Sequence, residues 1–320
     1  MKNKNGVMSV NAIIEKITEQ IQEGIYPGAS LALYRKGQWS EHYLGLADPE
    51  KGESVVADLV YDLASVSKVV GVATICAFLY AKGELELDRP FKEFYPRFAH
   101  EKTTIRELLT HTSGLDPFIP NRDQLDARQL KTALENLQLK EDKSFHYTDV
   151  NFLLLGFWLE DRFHQPLDRL FEELIFTPWK MTETRFGPVE KAVPTVRGLA
   201  SGSVHDPKAR VLGCHAGSAG LFSTVADLER FLEHYLKDDF ARDLSQNFAR
   251  EEGKTRALGW NLEGDWLDHT GYTGTFIMYN RKRQEAVIFL SNRTYEKDER
   301  AQWILDRNSL MDLIKQECEK

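Results

Sequence analysis

The chain has 320 residues, 42% of them apolar, which is enough to bury a core of enzyme size. Its net charge is −8, from 41 basic and 49 acidic residues, and no lysine- or arginine-rich block occurs, so nucleic-acid binding is set aside. Residues 1–20 include basic residues but lack an uninterrupted apolar stretch and a small-residue cleavage site, and no segment elsewhere approaches 18 apolar residues, so neither an export signal nor a membrane span is expected. A cytoplasmic location is therefore expected, or an extracellular one if an upstream signal has been removed. Cys76, Cys214 and Cys318 are widely spaced, without CxxC or Cys/His ligand patterns, as expected in a reducing compartment.

In chain order, Val10, Ile13, Ile14, Ile17 and Ile21 recur at helical spacing before Gly24, predicting an amphipathic helix over 10–23. Residues 29–35 and 38–45 are β-rich runs around Lys36-Gly37, a hairpin with a tight turn. From Ser65 to Ala81 the sequence is apolar nearly all round and Gly83 closes it, which predicts a buried helix. The stretch 84–190 is punctuated by proline and carries short helical patterns at 105–110, 125–137, 150–163 and 167–176. Strand signals return at 275–280 and 285–291 around the polar turn 281–284, and a helix is expected over about 300–317. No internal repeat or low-complexity linker separates these parts, so 1–320 is expected to pack as one body, with an α/β part at about 1–83 and 191–320 and a helical part at about 84–190.

Three groups of residues could carry chemistry. Ser65 and Lys68 are three apart on one helix face, so the amine can reach the hydroxyl, and unpaired N–H groups at a helix start suit an oxyanion. Ser65 alone among the serines has a lysine three residues on. Taken singly, a serine N-cap followed by a surface lysine explains the pair as well. Tyr147-Thr148-Asp149 precedes the apolar run 152–155; its phenol could shuttle protons beside cations, or it could simply pack at a helix start with Thr148 or Asp149 as the cap. His269-Thr270-Gly271, followed by Tyr272-Thr273-Gly274, precedes a strand; it could let an extended substrate pair with the sheet edge, or be an ordinary glycine-rich turn.

In this order, SxxK, YxD and HTG resemble the active-site elements of the penicillin-recognising serine hydrolases, the superfamily of class C β-lactamases, DD-peptidases and related serine esterases. The resemblance runs from about Pro27 to Arg293 and includes Leu87-Asp88-Arg89-Pro90, the stretch from Glu107 to Leu115, and Gly217-Ser218-Ala219-Gly220-Leu221-Phe222-Ser223-Thr224. It implies a β-lactamase-like α/β fold of mixed α+β type: an antiparallel sheet flanked by N- and C-terminal helices, with an inserted, mainly helical subdomain. It also implies Ser65 as nucleophile, Lys68 and Tyr147 as the proton-handling pair, and the backbone N–H groups of Ser65 and Tyr272 as oxyanion hole. Asp149, His269, Thr270 and Gly271 would meet the substrate, and no cofactor or metal is called for.

Two positions depart from the family pattern. His269 stands where a lysine is usual in class C β-lactamases, which removes a permanent cation. Asp149 stands where asparagine is usual, and its charge would hold Lys68 protonated, shifting the base role toward Tyr147. Thr224 and Asp227 are expected to form a capping box, so their stretch is read as scaffold, and His205-Asp206 as a loop pair beside the cleft or solvated.

No Gly-x-Ser-x-Gly elbow, HExxH, P-loop or GxGxxG occurs, which argues against an α/β-hydrolase, a zinc hydrolase or a nucleotide enzyme. The expected activity is an esterase or amidase acting on a small-molecule or peptide substrate through an acyl-enzyme. The alternatives are a D-Ala-D-Ala carboxypeptidase or penicillin-binding protein, a β-lactamase, and a non-enzymatic β-lactam or muropeptide sensor that is acylated without turnover.

Overall fold

The computed structural model describes residues 10–250 and 254–319; residues 1–9, read above for an export signal, and residues 251–253 and 320 lie outside it. The opening stripe forms α1 (Val10–Gln22), with Ile13 and Ile17 fully buried. A hairpin follows, β1 (Gly28–Arg35) and β2 (Gln38–Asp48), turning through Lys36 and Gly37, which both have positive φ and so match the twist of the paired strands. β2 runs three residues past its expected end and pairs with β3 (Glu53–Ser54) across an irregularity between Leu46 and Asp48. Next comes β4 (Tyr61–Asp62).

The stretch expected as one helix from Ser65 is wound in three ways: a 3₁₀ turn at Ala64–Val66, a wider π-type segment at Val69–Ala73, and α2 at Thr74–Ala81. A sequence apolar on every side sets burial but not winding. This stretch also corrects the expectation that no segment is apolar enough to span a membrane. Residues Ala64–Ala81 reach a mean hydropathy of 1.6, but 78% of them are buried inside the protein, so their apolar surface forms core.

The helical stretch holds α3 (Phe91–Phe94), α4 (Ile105–Thr110), α5 (Ala127–Glu135), α6 (Val150–Phe163) and α7 (Leu167–Phe171). After it come β5 (Arg185–Phe186), α8 (Pro207–Leu212), β6 (Leu221–Ser223), α9 (Val225–Lys237), β7 (Asn261–Glu263), β8 (Trp266–Thr270), β9 (Phe276–Asn280), β10 (Glu285–Ser291) and α10 (Arg300–Glu319). Of the capping box expected before α9, one half forms: Thr224 accepts from Asp227 N, but the Asp227 carboxylate turns to Glu183 N and Thr184 Oγ1 instead of reaching back.

Seven strands form one sheet in the order β3-β2-β1-β10-β9-β8-β7, every neighbour antiparallel. Its centre joins the two ends of the chain, with Leu31 opposite Phe289. Period-two alternation divides the side chains between two cores. Leu31, Leu33, Met278, Val287 and Phe289 pack with Ile13, Ile17, Leu310 and Ile314 of the terminal helices. Ala32, Tyr34, Ile277, Tyr279 and Ile288 join the larger core with α2, α6 and α9. Each fully buried aliphatic or aromatic side chain contributes about 1.5–3 kcal/mol. A small sheet, β4-β6-β5, pairs Tyr61 with Ser223 and Asp62 with Phe222 and so fixes the entry to the Ser65 turn.

Candidate active site

Ser65 sits in the 3₁₀ turn directly after Ala64, a non-glycine residue at φ 45°, in the left-handed region where an L side chain is strained. Ties from three elements hold this turn. The Asp62 carboxylate accepts from the N–H of Ala64 at 2.8 Å and of His205 at 2.8 Å. Thr273 and Thr275, on the turn joining β8 and β9, donate their hydroxyls to the carbonyls of Asp62 and Leu63. Burial pushes the Asp62 carboxyl up to about 6, against the pull of its two N–H bonds.

Lys68 is not a surface residue. Its side chain is fully buried, and its ammonium donates to Ser65 Oγ at 2.8 Å, Asp149 Oδ1 at 2.7 Å and the Ser218 carbonyl at 2.9 Å. Those three bonds use every N–H the ammonium has. Burial by itself would lower the Lys68 pKa, but Asp149 and then Tyr147 outweigh it and hold the lysine protonated, as expected from the aspartate at 149. Ser218, just ahead of the Gly220–Thr224 stretch read above as scaffold, thus has a direct hold on this lysine.

Asp149 immediately precedes α6 but makes no capping bond; its carboxylate is turned to the site. Oδ1 meets Lys68 and Oδ2 meets Lys208 at 3.1 Å. Burial raises this carboxyl, and the two lysines more than reverse the shift, leaving it well below the usual carboxylate range. Tyr147 is partly exposed, with its ring centroid 5.2 Å from Lys68 Nζ and 4.6 Å from that of His111, the two rings tilted by 37°.

The His269-Thr270-Gly271 segment closes the other side. His269 and Thr270 end β8, so the motif lies on a strand and opens the turn, rather than forming a turn ahead of the strand. A methyl group at Gly271 would lie 2.1 Å from Thr275 Oγ1 and 2.6 Å from the Leu63 carbonyl; the glycine therefore serves the close approach of this turn to the nucleophile turn. His269 is buried, and both its ring nitrogens lack a partner. Burial lowers its pKa well below the ordinary histidine value, reinforced by Lys68 and Arg256, so the ring is neutral. Thr270 Oγ1 accepts from Arg307 Nη1 of α10 at 3.1 Å. Tyr272 follows in the turn closed by Gly271 N to the Thr275 carbonyl and Gly274 N to the Gly271 carbonyl, a pattern that leaves its own N–H out.

Ser65, Tyr147, Tyr272 and Arg300 line two adjoining lobes of one groove. The larger lobe, about 710 Å³, is walled by Asp149, His205, Asp206, Lys208 and Arg210. The smaller, about 220 Å³, contains His269 and the cationic side chains of Lys254, Arg300 and Arg307. His205 and Asp206 thus border the cleft, the first with its ring 5.4 Å from that of Tyr272, the second capping α8 through Ala209 N. Among the described residues no group of three or more His, Cys, Asp or Glu is placed to hold a metal ion.

Seven of the eight expected site residues therefore line one groove, and the eighth, Lys68, is buried behind it and bonded to Ser65. Lys208, Asp62, Ser218 and Arg307 were not singled out from the sequence. Asp206-Pro207, a capping residue with proline at the first helical position, did mark the start of the helix that carries Lys208.

The chain matches the family model described as Beta-lactamase over residues 13–310. It is 27% identical over 363 aligned positions, covering 90% of this chain and 83% of the other, to the Escherichia coli (strain K12) protein named "Putative D-alanyl-D-alanine carboxypeptidase". Among solved structures it resembles the β-lactamase/D-alanine carboxypeptidase from Pseudomonas syringae, with a TM-score of 0.73 at 19% identity over 93% of this chain and 98% of that one. It equally resembles EstCE1, a hydrolase with promiscuous acyltransferase activity, with a TM-score of 0.73 at 19% identity over 95% and 97%. At these identities the structural likenesses speak for the fold.

Proposed function

The chain belongs to the β-lactamase family of serine hydrolases, and from that premise we propose that it cleaves a small ester, amide or peptide through an acyl-enzyme on Ser65. The observation that carries this reading is the Ser65 hydroxyl held 2.8 Å from a fully buried Lys68 ammonium at the junction of two open lobes.

Ser65 Oγ attacks the carbonyl carbon as its proton passes to the Tyr147 oxygen and the Tyr147 phenol proton moves on toward the leaving group. Lys68 cannot take that proton while it is an ammonium with all its donors engaged; it aims the hydroxyl and offsets developing charge. The N–H groups of Ser65 and Tyr272 receive the oxyanion, and the leaving group, protonated through the Tyr147 relay, departs as its bond to the carbonyl carbon breaks. Water then adds to the ester carbonyl by the reverse route, releasing the acid and restoring Ser65. His269 backs the wall of the smaller lobe as a neutral ring, and Thr270 and Gly271 place the acyl chain along the end of β8.

The smaller lobe favours a more specific second reading. His269 removes the usual cation, but Lys254, Arg300 and Arg307 bring positive charge to the same place from elsewhere in the chain, which suits a substrate ending in a carboxylate. A D-Ala-D-Ala peptide is such a substrate, and the E. coli relative's name points the same way. Two assays decide between the readings: hydrolysis of p-nitrophenyl acetate, and release of D-alanine from an acetylated D-Ala-D-Ala peptide, each against Ser65→Ala. Ser65-dependent ester hydrolysis without D-alanine release supports the general esterase; efficient D-alanine release supports the carboxypeptidase. Turnover that survives Ser65→Ala refutes both.

A further inference from the structure

Asp149 is shared between two lysines, and only one of them touches Ser65. Lys208, on α8, reaches the groove from a different element than Lys68, yet its ammonium lies 3.1 Å from Asp149 Oδ2 while Lys68 holds Oδ1 at 2.7 Å. Lys208 is itself steadied by Asp206 Oδ2 at 3.7 Å, and its side chain is 14% exposed. Asp206 also accepts from Ala209 N and thereby fixes the first turn of α8, so the lysine is carried on a capped element.

We propose that Lys208 is a positioning residue for the nucleophile: by holding the second oxygen of Asp149, it fixes the carboxylate that orients the Lys68 ammonium on Ser65. This inference rests on the hydrolase reading above and adds to it a residue that acts without touching the reacting atoms. A carboxylate with one oxygen bound can rotate about its Cβ–Cγ bond; with a cation on each oxygen it cannot turn without breaking an ion pair. Lys68 then has a fixed anchor on one side, the Ser218 carbonyl on another, and Ser65 Oγ in the remaining direction. The other charged and titratable groups around this row are Tyr147, His111, His269 and Arg256 near Lys68, and Asp206 beside Lys208. His111 and His269 are held neutral, chiefly by burial, so they offer Asp149 no competing cation. The arrangement also accounts for an aspartate at 149, where the family pattern has a neutral amide: the extra negative charge has its own cation.

The test is burst kinetics with p-nitrophenyl acetate on the wild type, Lys208→Met, Lys208→Arg, Asp149→Asn and the double variant Asp149→Asn/Lys208→Met. The acylation rate constant and the apparent substrate dissociation constant are read separately. Lys208→Met is expected to slow acylation by about tenfold to a hundredfold, the scale of a misplaced reacting group, with the dissociation constant unchanged. Lys208→Arg restores most of the rate, and in the Asp149→Asn background the Lys208→Met change has no further effect. A weakened dissociation constant at unchanged acylation rate makes Lys208 a substrate contact and overturns the inference. So does an equal loss from Lys208→Met in the wild-type and Asp149→Asn backgrounds, or wild-type kinetics in Lys208→Met. Should Lys208→Met fail to fold, a Lys208→Arg variant as slow as Asp149→Asn contradicts the inference by itself. A wild type without a Ser65-dependent burst overturns the hydrolase reading and this inference with it.

Discussion

Lys68 and Asp149 lie 2.7 Å apart, the lysine fully buried and the aspartate one-quarter exposed. The pair brings together two helical segments, one following Ser65 and one following Tyr147; removing Asp149 strands Lys68, whereas Asp149 without Lys68 keeps Lys208. Lys68→Ala is expected to lower acylation at least about a hundredfold, because Ser65 loses the ammonium that holds its hydroxyl and Asp149 loses its nearer cation. Asp149→Ala is expected to cost roughly 3 kcal/mol or more of stability, since it leaves a buried ammonium without a counter-ion. Urea denaturation reads this as a lower midpoint at unchanged slope.

Gly271 tests the packing of the third segment on the first. A Gly271→Ala methyl group meets a backbone carbonyl that cannot rotate away, at 2.6 Å from its ideal position. The expected cost is about 1–3 kcal/mol in stability. Acylation should fall up to about a hundredfold as the Tyr272 N–H moves relative to Ser65. A variant with wild-type stability and rate would show that the close approach has no role.

Stability is expected to fall as pH drops below about 6.5. His111 and His269 are lowered well below the ordinary histidine value, first by burial and then by neighbouring cations, His111 by Arg256 and His269 by Lys68. Below that pH the unfolded chain binds protons that the folded chain refuses, so the contribution of these rings, fully present above it, is progressively lost. Asp62 works in the opposite sense: with its carboxyl raised to about 6, the folded chain takes up a proton between about 4 and 6 that the unfolded chain does not. Thermal melts from pH 8 to 5 should therefore show a falling Tm that steepens in His269→Gln or His111→Gln less than in the wild type.

Asp62 gives a separate signature in activity. Above about 6 its carboxylate accepts from both Ala64 and His205; once protonated, one oxygen becomes a donor facing an N–H. The acylation rate is expected to decline below about pH 6 for this reason. Asp62→Asn should be slower throughout and lack that limb, since its amide does not titrate there. A wild-type limb that persists unchanged in Asp62→Asn assigns it to another group.

What the sequence revealed was local. Ser65 and Lys68 are three residues apart, Tyr147 and Asp149 two, and His269 to Tyr272 contiguous, so backbone geometry alone brings each set to one face or one turn. The central hairpins were legible for the same reason: alternation and turn chemistry are short-range signals. Lys208, Ser218 and Asp62 act on groups that only the folded chain brings near, such as Ser218 on Lys68, and no periodicity announces them. The strand Trp266–Thr270 was missed because its buried Asp268 and His269 break the apolar alternation that marks a strand; Asp268 is satisfied by Asn261 across the β7–β8 pair. The two-residue strands β3, β4 and β5 are too short to leave a pattern.

The central claim is that Ser65 becomes acylated. Intact-protein mass spectrometry after brief mixing with p-nitrophenyl acetate, and separately with a fluorescent penicillin, tests it on the wild type and Ser65→Ala. A covalent acyl adduct that maps to Ser65 and is absent from Ser65→Ala is the predicted result. Product release that continues in Ser65→Ala, or an adduct that maps to another residue, contradicts it.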